Sequence, residues 1–402
     1  MIGVSKLYCG TVEPSDLLRY QRLARELPSH LLQFSEDKKP VIAYNMTRAC
    51  NLSCIHCYAS ASSERAPDEL NPAETAGLVR HLTEYGVPVI LFSGGEPLLH
   101  PQILELVELA VRNGTRAVLS TNGLLLTLEL ARKLKELGLS YAGISLDGLA
   151  EHHDFMRGRP GAFQMALKAI AAAREAGLKV GLRLTLTRSN HKDIGTIFDF
   201  LEEERLPRIC FYHLVDRGLA ELSGEKLTAS ETRQALDVIA QRTLRLHQKG
   251  FSPEVLTVDN PADGPYLYLK MRREGRFQAA EKVLALLRLN GGSSSGQGIG
   301  AVSWNGDVLP DQFWRTRILG SVREKSFAEI WHDPLNELLM KLKDKKKHLT
   351  GRCRECFFLD MCGGGLRARA EAATGDPWAP DPACYLADEE ILVQDSGLAA
   401  EM

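Results

Sequence analysis

Three cysteines, Cys50, Cys54 and Cys57, fall in the run Thr47-Arg48-Ala49-Cys50-Asn51-Leu52-Ser53-Cys54-Ile55-His56-Cys57-Tyr58. The C-x3-C-x2-C spacing delivers three thiolates to one small volume. Thiolates are soft ligands that select zinc, copper(I) or iron–sulfur clusters. Three is one short of a closed cage, and an incomplete set keeps a coordination position for chemistry. On a [4Fe–4S] cluster that position is one iron, open to a substrate or a cofactor. A second set, Cys353, Cys356, Cys362 and Cys384, is spaced C-x2-C-x5-C-x21-C and supplies four thiolates, enough to close a site. Spacing alone leaves it as structural zinc or as a cluster held wholly by protein. Of the other two cysteines, Cys210 lies in an apolar run and reads as a small core side chain. Cys9, in a less regular N-terminal segment, is carried as a candidate for a role toward substrate.

These residues need a frame. Strand-like runs are read at Val41–Met46, Pro88–Phe92, Arg116–Ser120, Tyr141–Leu146, Val180–Leu186 and Arg208–Leu214. Between and after them lie helical patterns near Pro72–Tyr85, Pro101–Asn113, Leu128–Leu137, Ala162–Ala176, His191–Glu204 and Ala229–Lys249. Repeated βα units imply a parallel sheet, because parallel neighbours need a helical crossover. An open barrel and a doubly wound sheet both fit, and both place ligands at the carboxyl ends of the strands. Ser93-Gly94-Gly95-Glu96-Pro97 follows the second strand there, Ser120-Thr121-Asn122-Gly123 the third and Ser145-Leu146-Asp147-Gly148 the fourth. Arg183 lies inside the fifth strand and His213 near the end of the sixth. Paired glycines let backbone approach a ligand closely, and Glu96 beside them is expected to accept from an ammonium. His152-His153-Asp154 reads as a helix start, since adjacent histidines do not share a helical face.

Composition narrows the classes. The chain has 402 residues, with 49 basic against 51 acidic and a net charge of −2. That balance gives no reason to expect nucleic acid or an anionic membrane as a partner. No apolar run approaches a membrane span, and the start carries no signal-peptide pattern. Nine cysteines, seven of them in two tight sets, read as metal binding in a cytoplasmic protein rather than as disulfides.

The cysteine trio with an aromatic, Tyr58, beside its last member, followed one βα unit later by Gly94-Gly95-Glu96-Pro97, resembles the radical S-adenosylmethionine (SAM) superfamily over roughly residues 40–215. The resemblance implies an α/β fold, a partial (β/α)6 TIM-type barrel. It implies a [4Fe–4S] cluster on Cys50, Cys54 and Cys57, whose open iron takes the amino and carboxylate groups of SAM. Gly94, Gly95 and Glu96 would face the methionine amino group and Tyr58 would border the adenine. Ser145 and Arg183 would meet the ribose or carboxylate. Beside such a barrel the second cysteine set is similar to SPASM or twitch extensions, small cysteine-rich C-terminal domains that hold auxiliary [4Fe–4S] clusters. Leu366 stands where the SPASM core would put a fourth cysteine, and residues 298–306 contain none. One auxiliary cluster, on Cys353, Cys356, Cys362 and Cys384, is the count that fits, and it is expected to carry electrons. The expected domains are 1–38, an N-terminal extension; 39–250, the barrel; 251–300, a substrate-specificity segment and linker; and 301–402, the auxiliary-cluster domain.

A narrower resemblance covers nearly the whole chain. Gly363-Gly364-Gly365-Leu366-Arg367-Ala368-Arg369, the run Thr374 to Cys384, Asp259-Asn260 with Ala262-Asp263-Gly264, and Phe313-Trp314 are similar to radical SAM enzymes that remodel sirohaem-derived tetrapyrroles. Ser5-Lys6-Leu7-Tyr8-Cys9-Gly10 and Phe211-Tyr212-His213-Leu214 are most like the deacetylases of the alternative haem pathway, which convert 12,18-didecarboxysirohaem to Fe-coproporphyrin III. The resemblance implies a tetrapyrrole substrate and a low-potential electron donor such as a small redox protein. His213 is then a candidate for acid/base work or for the macrocycle's iron. Arg272, Arg273, Arg315, Arg317, Arg367 and Arg369 read either as solvated surface charge or as a cradle for a polycarboxylate. Competing readings are haem d1 synthesis, Fe-coproporphyrin III decarboxylation, peptide maturation, and a zinc or redox scaffold without catalysis.

Overall fold

The computed structural model describes residues 1–11 and 39–392; most of the expected N-terminal extension lies outside them. Among the described residues eleven strands form one sheet. They are β1 (Ile2–Gly3), β2 (Val41–Asn45), β3 (Val89–Ser93), β4 (Arg116–Thr121), β5 (Tyr141–Ser145) and β6 (Val180–Leu186). There follow β7 (Arg208–His213), β8 (Glu254–Val258), β9 (Ile299–Val302), β10 (Asp307–Leu309) and β11 (Gly320–Ser321). From β2 to β8 each strand lies parallel beside the next in sequence. The order never reverses, so the winding has one sense: a partial barrel and not a doubly wound sheet.

The helices form where caps and apolar spacing agree. Asn71 accepts from Ala73 N and Glu74 N, Glu74 returns a bond to the Asn71 amide, and Pro72 opens the helix Pro72–Tyr85. In Ile103–Arg112 the side chains of Ile103, Leu106, Val107 and Ala110 recur at helical spacing and are buried. Each large apolar side chain so buried stabilises by about 1.5–3 kcal/mol. The expected helix at His152-His153 is present as Ala150–Arg157.

Beyond residue 250 the described chain is ordered by close packing. Asn290-Gly291-Gly292-Ser293-Ser294-Ser295-Gly296, which reads equally as a flexible linker or as a loop that orders over a ligand, is packed: Ser293 N donates to Cys362 O at 3.0 Å and Ser295 Oγ to Asp311 Oδ2 at 2.5 Å. A Cβ on Gly292 would stand 2.1 Å from Cys362 O, so glycine serves close approach there and not flexibility. The 251–300 segment also supplies β8 and the helices Asp263–Arg273 and Phe277–Asn290. At the other edge of the barrel β9 pairs parallel with β2, so the C-terminal module grows directly from the sheet.

Candidate active site at the barrel mouth

A cavity of about 340 Å³ opens at the carboxyl ends of the strands, lined by Cys50, Cys54, Cys57, Tyr58, Gly94, Gly95, Ser145, Arg183 and His213. Residues up to 163 positions apart in sequence therefore share one space. The cysteine loop is held by backbone. Gly95 N donates to Thr47 O at 2.7 Å, Glu96 N to Ala49 O at 2.8 Å, and Cys50 N to Ser62 O at 2.7 Å. A Cβ on Gly95 would lie 2.1 Å from Ala49 O, and Gly94 has φ +132°. The two glycines are required by the cysteine loop as well as by any ligand.

Glu96 is placed differently from expectation. It is buried and does not line the cavity. Its Oε1 accepts from Thr121 Oγ1 at 2.7 Å and Leu98 N at 3.1 Å, and its Oε2 from Asn122 N at 2.9 Å. Asn122 Nδ2 in turn reaches Asn51 Oδ1 at 2.7 Å and Cys50 Sγ at 3.8 Å. Glu96 thus ties the β3 and β4 turns to the cysteine loop. Burial raises its pKa against the pull of those donors.

Sequence reading missed a charged network below the trio. Asp147, fully buried, meets Arg157 Nη2 at 2.5 Å and His56 Nε2 at 3.3 Å, and accepts from Thr185 N at 2.8 Å. Burial alone would raise its carboxyl; Arg157 and His56 outweigh that and hold it well below the usual carboxylate range. Arg157 Nη1 also points at Cys54 Sγ, 3.6 Å away. Only the run Ser145-Leu146-Asp147-Gly148 had pointed to this position, as one of those at the ligand end of the strands. His153 Nδ1 accepts from Asp147 N at 3.0 Å while His152 turns outward to Asp193 at 2.6 Å, so the adjacent histidines do diverge.

Tyr58 donates to Asn45 Oδ1 at 3.0 Å and sets its ring against Phe313 at 5.1 Å between centroids. Arg183 stacks over Tyr212 at 4.3 Å. His213 Nε2 bonds Asp263 Oδ2 at 2.8 Å, and Asp263 Oδ1 accepts from Tyr385 Oη–H at 2.7 Å. Cys9 is not brought to the cavity. It follows the helix Val4–Tyr8, beside Arg276, and burial pushes its thiol up to about 11. Cys210 is buried within β7, as a core side chain should be.

In the C-terminal module Cys353, Cys356, Cys362 and Cys384 lie close enough that their charges act on one another. The six arginines do not share one setting: Arg273 and Arg317 are exposed, Arg272 and Arg315 half-buried, and Arg367 and Arg369 buried. Arg367 is buried and donates to Pro377 O at 2.8 Å and Ala379 O at 2.7 Å. Arg369, also buried, forks onto Asp381 at 2.7 and 2.8 Å and reaches Asp259 O at 2.9 Å. Arg315 donates to Ala59 O at 2.5 Å, Arg317 to Glu371 at 2.7 Å and Arg272 to Tyr268 Oη at 3.1 Å, and Arg273 pairs with Glu390 at 3.4 Å. Leu366 packs with Val215, Phe313 and Trp314 in an apolar cluster between module and barrel.

The thiols suit iron–sulfur clusters. All nine cysteines are free of disulfides. Burial pushes Cys50 up to about 12 and raises Cys54, so metal must displace their protons. Among the described residues no three His, Cys, Asp or Glu side chains gather tightly enough for a single metal ion.

Comparison with known proteins bears this out. Residues 44–201 match the Radical SAM superfamily, and residues 295–357 match an iron-sulfur cluster-binding domain, SPASM. The chain is 55% identical to Fe-coproporphyrin III synthase of Methanosarcina barkeri, over 97% of this chain and 99% of that one. The chain belongs to the radical SAM superfamily. It is also 37% identical to pre-heme d1 synthase of Dinoroseobacter shibae, over 88% and 87% of the two chains. AdoMet-dependent heme synthase of Nitratidesulfovibrio vulgaris is 32% identical, over 87% and 94%. Among solved structures, anSMEcpe with bound AdoMet superposes with a TM-score of 0.67 at 18% identity, covering 90% of this chain and 94% of that one. As a radical SAM enzyme with a SPASM domain, the protein uses SAM, a [4Fe–4S] cluster and an auxiliary iron–sulfur cluster. No helix among the described residues is long and apolar enough to cross a membrane.

Proposed function

We propose that this enzyme makes Fe-coproporphyrin III by removing the two acetate side chains of 12,18-didecarboxysirohaem. The observation that carries the reading is the 55% identity, over almost the full length of both chains, to a protein named for that product. The site supports it, because the cysteine trio, the glycine turn and His213 share one cavity that the C-terminal module covers with Phe313.

When bound, SAM and the reduced cluster supply a 5′-deoxyadenosyl radical for hydrogen abstraction from the substrate. The chain's own residues would hold and shield. Cys50, Cys54 and Cys57 would hold the first cluster, oriented by Asn122 and Arg157. The backbone of Gly94 and Gly95, with Tyr58, Ser145 and Arg183, would bind SAM, and Phe313 and Trp314 would exclude water from above. Cys353, Cys356, Cys362 and Cys384 would hold the auxiliary cluster. A low-potential electron donor would supply electrons, in the cytoplasm. In this reading the barrel is 39–250 with β8 added, 251–300 shapes the substrate side, and 301–402 is the auxiliary module.

The test is anaerobic reconstitution with iron and sulfide, then incubation with SAM, reductant and 12,18-didecarboxysirohaem, with products followed by mass. Fe-coproporphyrin III is the expected product. No tetrapyrrole turnover, with SAM cleaved only when a peptide is present, overturns the reading.

A further inference from the structure

A further acid, Asp259, lines the mouth cavity. Asp259 directly follows β8 and has φ +69°, in the left-handed region that non-glycine residues seldom adopt. Such a conformation persists only where its surroundings hold it, and it clusters at functional sites. Here the C-terminal module does the holding. Arg369 donates to Asp259 O at 2.9 Å, and the next residue, Asn260, donates to Ala383 O at 2.9 Å. The side chain is thereby set into the wall of the mouth cavity, which His213 also lines. Its Oδ2 has no exposed surface and no hydrogen-bond partner. A buried polar atom left unpaired in a native fold calls for an explanation, and a missing ligand is one.

Position says which ligand. In the sheet β8 lies at the opposite end of the barrel strands from β2, after which the cysteine trio sits, and directly beside β7, which carries His213. Asp259 therefore belongs to the substrate side of the mouth. Burial pushes its carboxyl up to about 6, against the pull of the Met1 α-amino group and Arg369 and with the push of Asp311; His213 also pulls it down. A protonated carboxyl group donates one strong hydrogen bond, and a carboxylate is its best acceptor. We infer that Asp259 binds one carboxylate of the substrate through a shared proton, beside a His213 that Asp263 and Tyr385 hold in place. This rests on the tetrapyrrole reading for its choice of ligand.

The probe is Fe-coproporphyrin III, titrated without SAM into the reconstituted full-length protein and followed by its Soret band. Asp259→Asn keeps a donor at the same place, and asparagine tolerates this backbone. Asp259→Gly removes the carboxyl without strain. Wild-type affinity is expected to fall at least about tenfold from about pH 5.5 to about pH 7.5, as the shared proton is lost. Asp259→Asn should bind within about threefold of wild type at the lower pH and vary little with pH, and Asp259→Gly should bind at least about tenfold more weakly there. Equal affinity of Asp259→Gly and wild type overturns the inference. So does full pH dependence in Asp259→Asn, since the titrating group is then not Asp259. A wild-type protein that binds no porphyrin at any pH overturns the tetrapyrrole reading, and this inference with it.

Discussion

The two cysteine sets differ in number and in what packs around them. The trio at Cys50, Cys54 and Cys57 sits on a loop whose neighbours are ionised or polar: Arg157 at Cys54, Asn122 at Cys50, and Asp147 with His56 beneath. It faces a cavity. The quartet in the C-terminal module is half-buried like the trio, and Cys384 lines a smaller cavity that His213 also borders. Backbone packs on it directly, with Ser293 N on Cys362 O, and the buried Arg367 beside it donates to backbone carbonyls. The difference teaches that ligand count and surroundings go together. An open site needs groups that orient a loop while leaving one side clear, whereas a closed site needs only a frame. It also shows how the module serves the mouth, since Arg369 and Asn260 join the quartet's loop to the end of β8.

Replacing each set by alanine tests that contrast most severely. Loss of the trio should remove about four irons per chain and abolish SAM cleavage. Loss of the quartet should remove a further about four irons while SAM cleavage persists and tetrapyrrole turnover falls. The reverse pattern, measured by iron analysis and 5′-deoxyadenosine formation, would break the comparison.

Next in size are the buried ion pairs. Arg369→Met leaves Asp381 buried without its partner and should cost about 3–5 kcal/mol in denaturant unfolding. Arg157→Met should cost less, since the His56 side chain at 3.3 Å still faces Asp147, whereas Asp381 would keep only the backbone donors of Leu366 and Ala383. An equal loss of stability in the two variants would show that the trio's surroundings are as rigidly framed as the quartet's.

Glu96→Gln distinguishes a positioning acid from one that meets ligand. An amide set against the Asn122 or Thr121 donor should lower stability by about 1–3 kcal/mol. A shift confined to SAM affinity, with the unfolding midpoint unchanged, would return Glu96 to the cavity.

The smallest effect is Asp259→Asn on stability. With its folded pKa raised to about 6, the Asp259 carboxyl contributes most below its unfolded value, near 4, and that contribution is lost as pH rises through about 6. The asparagine variant should therefore gain about 1 kcal/mol over wild type at about pH 8, and the gain should vanish near about pH 4. Thermal unfolding at both values checks the sign.

Much of this was legible in the sequence. Six strands fell within a residue or so of their observed limits because apolar runs and capping signals are local. The cysteine sets were legible because their spacing is itself the chemistry. Reading failed where a side chain's partner lies far along the chain. Glu96 resembles a ligand contact until Thr121 and Asn122 arrive from β4 to claim it. Arg367 and Arg369 read as surface charge or carboxylate cradle until Asp381 and the carbonyls of Pro377 and Ala379 enclose them. A charge in a sequence does not carry its burial with it.

The sequence by itself determined the soft ligand sets, the repeating βα units that force a parallel sheet, and membership of the superfamily. Only the tertiary structure decided which acids face the mouth and which are tied down, and that Asp259 and His213 share its wall while Asp263 holds His213 in place. Spacing and periodicity are properties of neighbours in the chain. Desolvation and hydrogen-bond partnership are properties of neighbours in space, and the crossovers of the barrel set those.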